Sequence, residues 1–366
     1  MPRREDPDRT KVALVDPWMG QLIAGRYRLE LRIAAGGFGA IYRALDLATD
    51  RDVALKLLHA ALAQDEGVAA RFRREGAALA RLRDPHTVAA YEVGETDDGT
   101  LFIAMELLGG DSLHTVFQEQ GPMAWRSVAA IARAVCSSLA EAHAQGIVHR
   151  DLKPANIHLE GEHRDFVKVL DFGIAKIVGG ALDNSDLTSA GQMIGTFDYM
   201  PPEQMVGGET TGKSDIYALG IVMYELLVGQ RPFGDLPSAA SMLAAMLSTI
   251  PRSPAQRRVS LPRELDRAIM RCLAQKPDER PTVAELAHLL DVLIEDDEDR
   301  THVEPFRHVE HTPVDHTTDR VPKQRQTPVP PVDEFPSGEQ TVIDRGAYRS
   351  PPANTLPGIA PPKKPR

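Results

Sequence analysis

The chain has 366 residues, 42% hydrophobic and 26% charged, the make-up of a soluble globular protein with room for two domain-sized units. Its 42 basic and 52 acidic side chains give a formal charge of −10, which argues against a broad nucleic-acid-binding surface. Two cysteines, Cys136 and Cys272, exclude a disulfide framework and a four-ligand zinc site, and the richest apolar run, 216–228, is too short for a membrane span and contains Glu225.

The N-terminus, MPRREDPDRT, lacks the apolar core of a secretory signal, so a reducing cytoplasm is the expected compartment. Residues 1–25 are polar with little pattern and read as an extension. Three short apolar-rich segments follow at 27–33, 41–45 and 52–58, bounded by Gly or Asp, and predict strands. Residues 65–82 place Val68, Phe72, Leu79 and Leu82 near one helical face. Residues 101–107 (LFIAMEL) predict a buried strand. Helices then dominate. Residues 124–145 carry Val128, Ile131, Val135 and Leu139 at helical spacing, with Gly146 as the stop. Short strands are expected at 157–159 and 166–170. Residues 215–228 are apolar nearly all round, as in a helix buried inside a domain, with Asp215 expected to cap its start and Gly229 to end it.

The last segment differs. Residues 295–366 hold 13 of the 28 prolines, and only 12 of those 72 residues are Leu, Ile, Val or Phe. That is too little apolar surface to offset the entropy of ordering, so a disordered Pro-rich C-terminal tail is expected. The expected domains are therefore 1–25 as an N-terminal extension, 26–294 as a folded unit and 295–366 as the tail. Within 26–294 the class is α+β. A small β-rich N-lobe precedes a larger helical C-lobe, with a cleft between them and a connection near 106–110.

Chemistry-bearing residues cluster around that cleft. The stretch Ala34-Ala35-Gly36-Gly37-Phe38-Gly39-Ala40-Ile41 joins two strands; its N–H groups could cradle phosphates, or it could be a plain tight turn. Lys56, inside an apolar strand, either meets an anion or reaches out to solvent. Glu75 could be its partner or one charge on a solvated helix. His149-Arg150-Asp151-Leu152-Lys153-Pro154-Ala155-Asn156 is more specific. Asp151 can accept a proton from an attacking hydroxyl. Asn156 offers an amide oxygen to a hard cation, and Lys153 can neutralise a transferring phosphate. Asp171-Phe172-Gly173 follows, with Asp171 placed to chelate a metal from a strand end.

Taken together, Gly36/Gly39, Lys56, Glu75, the 149–156 run, Asp171–Gly173 and Pro201-Pro202-Glu203 resemble the protein-kinase signature set, in kinase order, over about residues 26–294. The stretch Gly195-Thr196-Phe197-Asp198-Tyr199-Met200 resembles bacterial eukaryotic-like Ser/Thr kinases in particular. The resemblance implies a bilobal protein-kinase fold and an enzyme transferring the γ-phosphoryl of Mg-ATP to protein Ser/Thr hydroxyls. By the same resemblance Ile33, Ala34, Gly36, Gly37, Gly39 and Ile41 would cover the nucleotide, and Ala54 and Ile41 would form the adenine ceiling. Lys56, oriented by Glu75, would hold the α- and β-phosphates. Met105 would be the gatekeeper, with Glu106 and Leu108 as hinge contacts. Asn156 and Asp171 would bind Mg²⁺. Asp151, Lys153 and Thr196 would be catalytic, Glu203 would pair with Arg280, and Asp215 would hold the catalytic-loop backbone. A pseudokinase scaffold is the alternative, disfavoured because Lys56, Asp151, Asn156 and Asp171 are all present.

Three positions depart from the pattern. Ala34 replaces the first glycine of GxGxxG, and Pro201 leads the segment where an APE motif is usual. His158 stands at the adenine-floor position, where the family usually has Leu or Met. A neutral imidazole can stack on adenine and a protonated one would be desolvated beneath it, so ATP binding is expected to weaken as His158 takes up a proton, unless the ring faces out. Arg150 implies control by activation-loop phosphorylation, at Thr188 with Ser185 and Ser189 as neighbours. Thr312 and Thr341, each with Asp three residues on, resemble sites that FHA domains read when phosphorylated; a flexible tether is the other use of the tail.

Overall fold

A computed structural model describes residues 16–36, 39–59, 64, 66–172, 198–234, 236, 238–257 and 259–298, with the side chains at 71, 75, 239 and 296–298 outside the description. The tail, the 173–197 segment and residues 1–15 lie outside the described residues.

The first part is an antiparallel sheet in the order β1 (Leu22–Ile23), β2 (Tyr27–Gly36), β3 (Gly39–Asp46), β4 (Arg51–Leu58), β6 (Leu101–Glu106), β5 (Ala90–Glu95). Register decides what each face carries. Ile41 lies opposite Lys56, Lys56 opposite Ile103, and Ala54 opposite Met105. Cross-strand partners share a face, and so do residues two apart. Ile41, Ala54, Lys56, Leu58, Ile103 and Met105 therefore line one side. The other side carries Tyr42, Leu55, Leu57, Phe102 and Ala104, which form one apolar cluster with Ile23, Tyr27 and Leu29. Helix α1 (Glu66–Leu79) covers part of the first face through Val68, Ala69 and Phe72 against Leu58, Leu101 and Ile103. Gly76 permits that approach, since a Cβ there would come within 2.7 Å of the Val93 methyls.

Ordered structure packs onto the sheet from before residue 26. Ile23 is buried, and Asp16 accepts from the Tyr42 hydroxyl at 3.1 Å and pairs with Arg32 at 3.0 Å. Two-residue β1 is too short to leave an alternation in sequence, which is why the pattern hides it.

The second part is built on helices α2 (Leu113–Gln120), α3 (Trp125–Ala144), α4 (Pro202–Met205), α5 (Gly212–Val228), α6 (Ala239–Ser248), α7 (Arg263–Cys272) and α8 (Val283–Glu298). A three-stranded sheet, β7 (Asp111–Ser112), β8 (Ile157–Glu160) and β9 (Phe166–Val169), lies in the order β7-β8-β9. Helix α5 is buried along nearly its whole length, as its all-round apolar sequence predicts, and Gly229 ends it in the left-handed conformation. Its start is not Asp215. Thr211 caps it, with Thr211 and Ser214 exchanging side-chain-to-backbone bonds. The helix thus begins a turn early, and Asp215 is freed for another task. Cys136 and Cys272 are both buried as free thiols, and burial pushes Cys136 up to about 12, so neither is a reactive thiolate. Among the described residues no helix is long and apolar enough to cross a membrane.

Candidate active site

Asp215 organises the loop that follows α3. It is 1% exposed, and its carboxylate accepts from the backbone N–H groups of His149 (Oδ2, 2.8 Å) and Arg150 (Oδ1, 2.8 Å) and lies 2.8 Å from His143 Nε2. A buried carboxylate needs such donors, and here they fix two consecutive peptides. Arg150 adopts a left-handed φ of 65°, a conformation that costs on the order of 1 kcal/mol and persists because both flanks are pinned.

His149 carries the order onward. Its Nδ1 accepts from the Asp151 N–H at 3.3 Å, so the neutral ring donates its Nε2–H to the Leu170 carbonyl at 2.8 Å. Full burial holds its proton affinity below the ordinary imidazole value, in keeping with that neutral tautomer. Phe172 packs on the same ring with centroids 4.7 Å apart. One buried imidazole therefore sets both Asp151 and the end of the 166–170 segment, where Asp171 also takes a left-handed φ of 53°.

The acidic side chains meet their partners across this frame. Lys153 Nζ donates to Asp151 Oδ2 at 2.7 Å. Asn156 Nδ2 donates to the Asp151 carbonyl at 2.8 Å and to Asp151 Oδ2 at 3.1 Å. Lys56 Nζ, from β4 and 115 residues upstream, donates to Asp171 Oδ1 at 2.6 Å. Burial alone would push the Asp171 carboxyl up; the Lys56 ammonium, through its charge and its hydrogen bond, and Lys153 outweigh it and hold it below the usual carboxylate range. The result is one constellation of two carboxylates, two ammonium groups and an amide, contributed by the sheet of the first part and two strand-end loops of the second.

Farther out, Arg280 forks onto Glu203 with Nη1–Oε1 at 2.7 Å and Nη2–Oε2 at 2.8 Å. Its remaining donors reach the carbonyls of Ala274, Lys213 and Gln275, and its guanidinium lies over the Tyr217 ring.

Residues 27–289 match the protein kinase domain family. The chain belongs to the protein kinase family. It is 41% identical over 274 residues to serine/threonine-protein kinase pkn3 of Myxococcus xanthus, covering 74% of this chain and 50% of that one. It is 39% identical to PknB of Mycolicibacterium smegmatis (73% of this chain, 42% of the relative) and 38% identical to PrkC of Bacillus subtilis (73% and 40%). The chain thus spans half or less of the length of these three relatives. Among solved structures, the Mycobacterium tuberculosis PknI kinase domain overlays with a TM-score of 0.58 at 28% identity, over 75% of this chain and 98% of that one. The protein-kinase fold expected from sequence is therefore present, and members of this family use ATP with a divalent metal.

Within this kinase fold, Ile41, Ala54, Lys56 and Met105 share the inner sheet face, and Glu106 and Leu108 lie where the chain leaves the sheet. Ala34 pairs with Ile41 in extended backbone, so nothing there demands glycine. Ile33 sits exposed beside it at a register shift. The two framing glycines sit in different surroundings. Gly36 has open space around it. At Gly39 a Cβ would meet the Leu57 carbonyl oxygen at 1.9 Å, so strand packing already requires glycine there. His158 faces the hinge rather than turning away from it, with Nε2 2.6 Å from the Gly109 carbonyl. The side chain of Glu75, and Gly37, Gly173, Thr188 and Thr196, lie outside the described residues.

Sequence reasoning missed two polar residues beside this site. Lys168 donates to Glu106 at 2.8 Å, and Glu160 accepts from the Gly109 N–H at 2.9 Å. The available hint was a lysine alternating with apolar residues three positions before Asp171.

Proposed function

We propose that this chain is an active Ser/Thr protein kinase that transfers the γ-phosphoryl group of Mg-ATP to protein hydroxyls. The observation that carries this reading is the convergence of Lys56, Asp151, Lys153, Asn156 and Asp171 on one spot. A scaffold without catalysis has no need to hold two carboxylates, each against its own ammonium group, at the mouth of a cleft.

The donor set suits a hard divalent cation. Asn156 commits its amide nitrogen to Asp151, which leaves its oxygen for a metal, and Asp171 offers the oxygen that Lys56 does not take. Magnesium, when bound, supplies positive charge against the phosphate oxygens. Asp151 accepts the proton of the attacking hydroxyl, and its two hydrogen-bonded neighbours fix where that proton goes. Lys153 places charge beside the transferring group. Lys56 is positioned for the inner phosphates, exchanging its contact with Asp171 for them. Positioning and charge neutralisation do most of the work in phosphoryl transfer.

Substrates are proteins, as the family implies. Phosphorylation near Thr188 would act through Arg150, which lines a cavity of about 280 Å³ with Arg74, Arg81 and Phe172. An FHA-domain partner reading phosphorylated Thr312 or Thr341, and a cytoplasmic location, remain parts of this proposal.

The test is transfer of labelled γ-phosphate to a generic basic protein. Label is expected only with magnesium and only on Ser and Thr; ATP-dependent transfer to a small metabolite alone would reject the reading. The same assay tests His158, whose ring stands against the hinge carbonyl of Gly109: His158→Leu is expected to change the Michaelis constant for ATP with little change in kcat. An unchanged Michaelis constant would reject a floor role for this imidazole.

A further inference from the structure

The backbone that joins the two parts of the domain, 106–110, is tied to the β8–β9 hairpin at both ends. At the exit, Gly109 gives its N–H to Glu160 Oε1 at 2.9 Å, and its carbonyl lies 2.6 Å from His158 Nε2. Gly110 takes a left-handed φ of 68° with the Leu159 carbonyl where a Cβ would sit. At the entry stands Glu106. Its N–H donates to the Ala89 carbonyl at 2.9 Å, and its Oε2 accepts from the Ala89 N–H at 3.3 Å and from Lys168 Nζ at 2.8 Å.

Lys168 is the unusual member. It is 9% exposed, on β9 directly across from His158 and three residues before Asp171. Lysine is seldom buried to that extent without an anion, and Glu106 supplies one. The short strand that ends at the candidate metal-binding aspartate is thereby joined to the first residue of the connecting segment. Hydrogen bonds from a buried cation hold geometry more tightly than exposed ones do, because no water competes.

The geometry points to Lys168 as a positioning residue for the nucleotide, acting through Glu106 to fix the hinge backbone relative to the strand that carries Asp171. This rests on the kinase reading above, since it assigns the hinge to adenine. The role is distinct from catalysis: Lys168 has its contact on the hinge side and none with Asp151 or Asp171 among the described hydrogen bonds and ion pairs. Loosening the hinge should weaken nucleotide binding and leave the proton-accepting carboxylate in place.

The experiment compares Lys168→Met, Glu106→Gln, the double variant and Lys168→Arg in the full chain. Lys168→Met is expected to raise the Michaelis constant for Mg-ATP about ten-fold while kcat stays within about two-fold. Glu106→Gln should move it the same way, and the double variant should be no worse than Lys168→Met, the signature of one shared interaction. Lys168→Arg, which keeps the cation, should recover most of the loss. Direct titration with ATP, without turnover, reads the hinge separately from transfer activity, so loss of the wild type's transfer would count against the kinase reading alone. If Lys168→Met does not fold, Glu106→Gln carries the same readout with less change of shape. An unchanged Michaelis constant with only a lowered melting temperature would overturn the proposal, as would a fall in kcat at constant ATP affinity.

Discussion

Asp151→Asn is expected to lower phosphoryl transfer about a thousand-fold while ATP still binds, because a positioned general base contributes roughly 10²–10⁴ in rate. The substitution keeps size and shape. It removes the charge that Lys153 and Asn156 hold in place at 2.7 and 3.1 Å, and with it the proton acceptor. A loss of that size corresponds to about 4 kcal/mol of transition-state stabilisation. Steady-state kinetics with a protein substrate, beside ATP titration, separates the two effects. A variant that keeps more than a tenth of wild-type kcat would show that Asp151 is not the base.

The second large effect is on stability. Arg280 is 1% exposed and spends its guanidinium on Glu203 and three backbone carbonyls. Arg280→Leu removes one partner of a buried pair and leaves the Glu203 carboxylate without its cation. Such losses cost about 3–5 kcal/mol, or roughly 10 °C in melting temperature for a domain of this size. Burial would push the Glu203 carboxyl up, but hydrogen bonds from Arg280 and Ser214 hold it below the usual carboxylate range. A depressed folded value gives stability that is fully present above the unfolded value of about 4.3 and fades as pH falls through the folded one. The gap between wild type and variant should therefore be widest near neutrality and narrow below about pH 4. Thermal melts at pH 7 and pH 4 measure both. Equal melting temperatures at pH 7 would mean that the pair contributes no net stability. Glu203→Gln should cost less, because a neutral amide still accepts from the fork.

Much of the fold was visible in sequence because the relevant segments bury one face or all faces. The strand 51–58 and helix 212–228 announce themselves by apolar content, and the structure places them within a few residues of expectation. β5 and β7 were missed for the converse reason: one is mixed in burial and the other has two residues. Asp215 shows how a local rule yields to a tertiary demand. An acidic residue before an apolar run reads as a cap, yet Thr211 takes that place and Asp215 turns its carboxylate to the catalytic-loop backbone. The kinase resemblance had implied that second use. Gly39 teaches the reverse lesson, since its need for glycine comes from Leu57 on the neighbouring strand, which no motif records. Lys168 left only a faint hint in sequence because its partner is 62 residues away on a strand of the other sheet, and only the tertiary fold brings the two together.

Everything functional depends on the proximity of Lys56 and Asp171 being the mouth of a nucleotide–metal site. The most direct measurement is the affinity of the chain for ATP, titrated with and without magnesium at matched ionic strength, in the wild type and in Asp171→Asn. Magnesium should tighten binding to the wild type by about ten-fold or more, and that gain should vanish in the variant. Equal wild-type affinity in the two conditions, or a magnesium gain that survives without the Asp171 charge, would contradict the account.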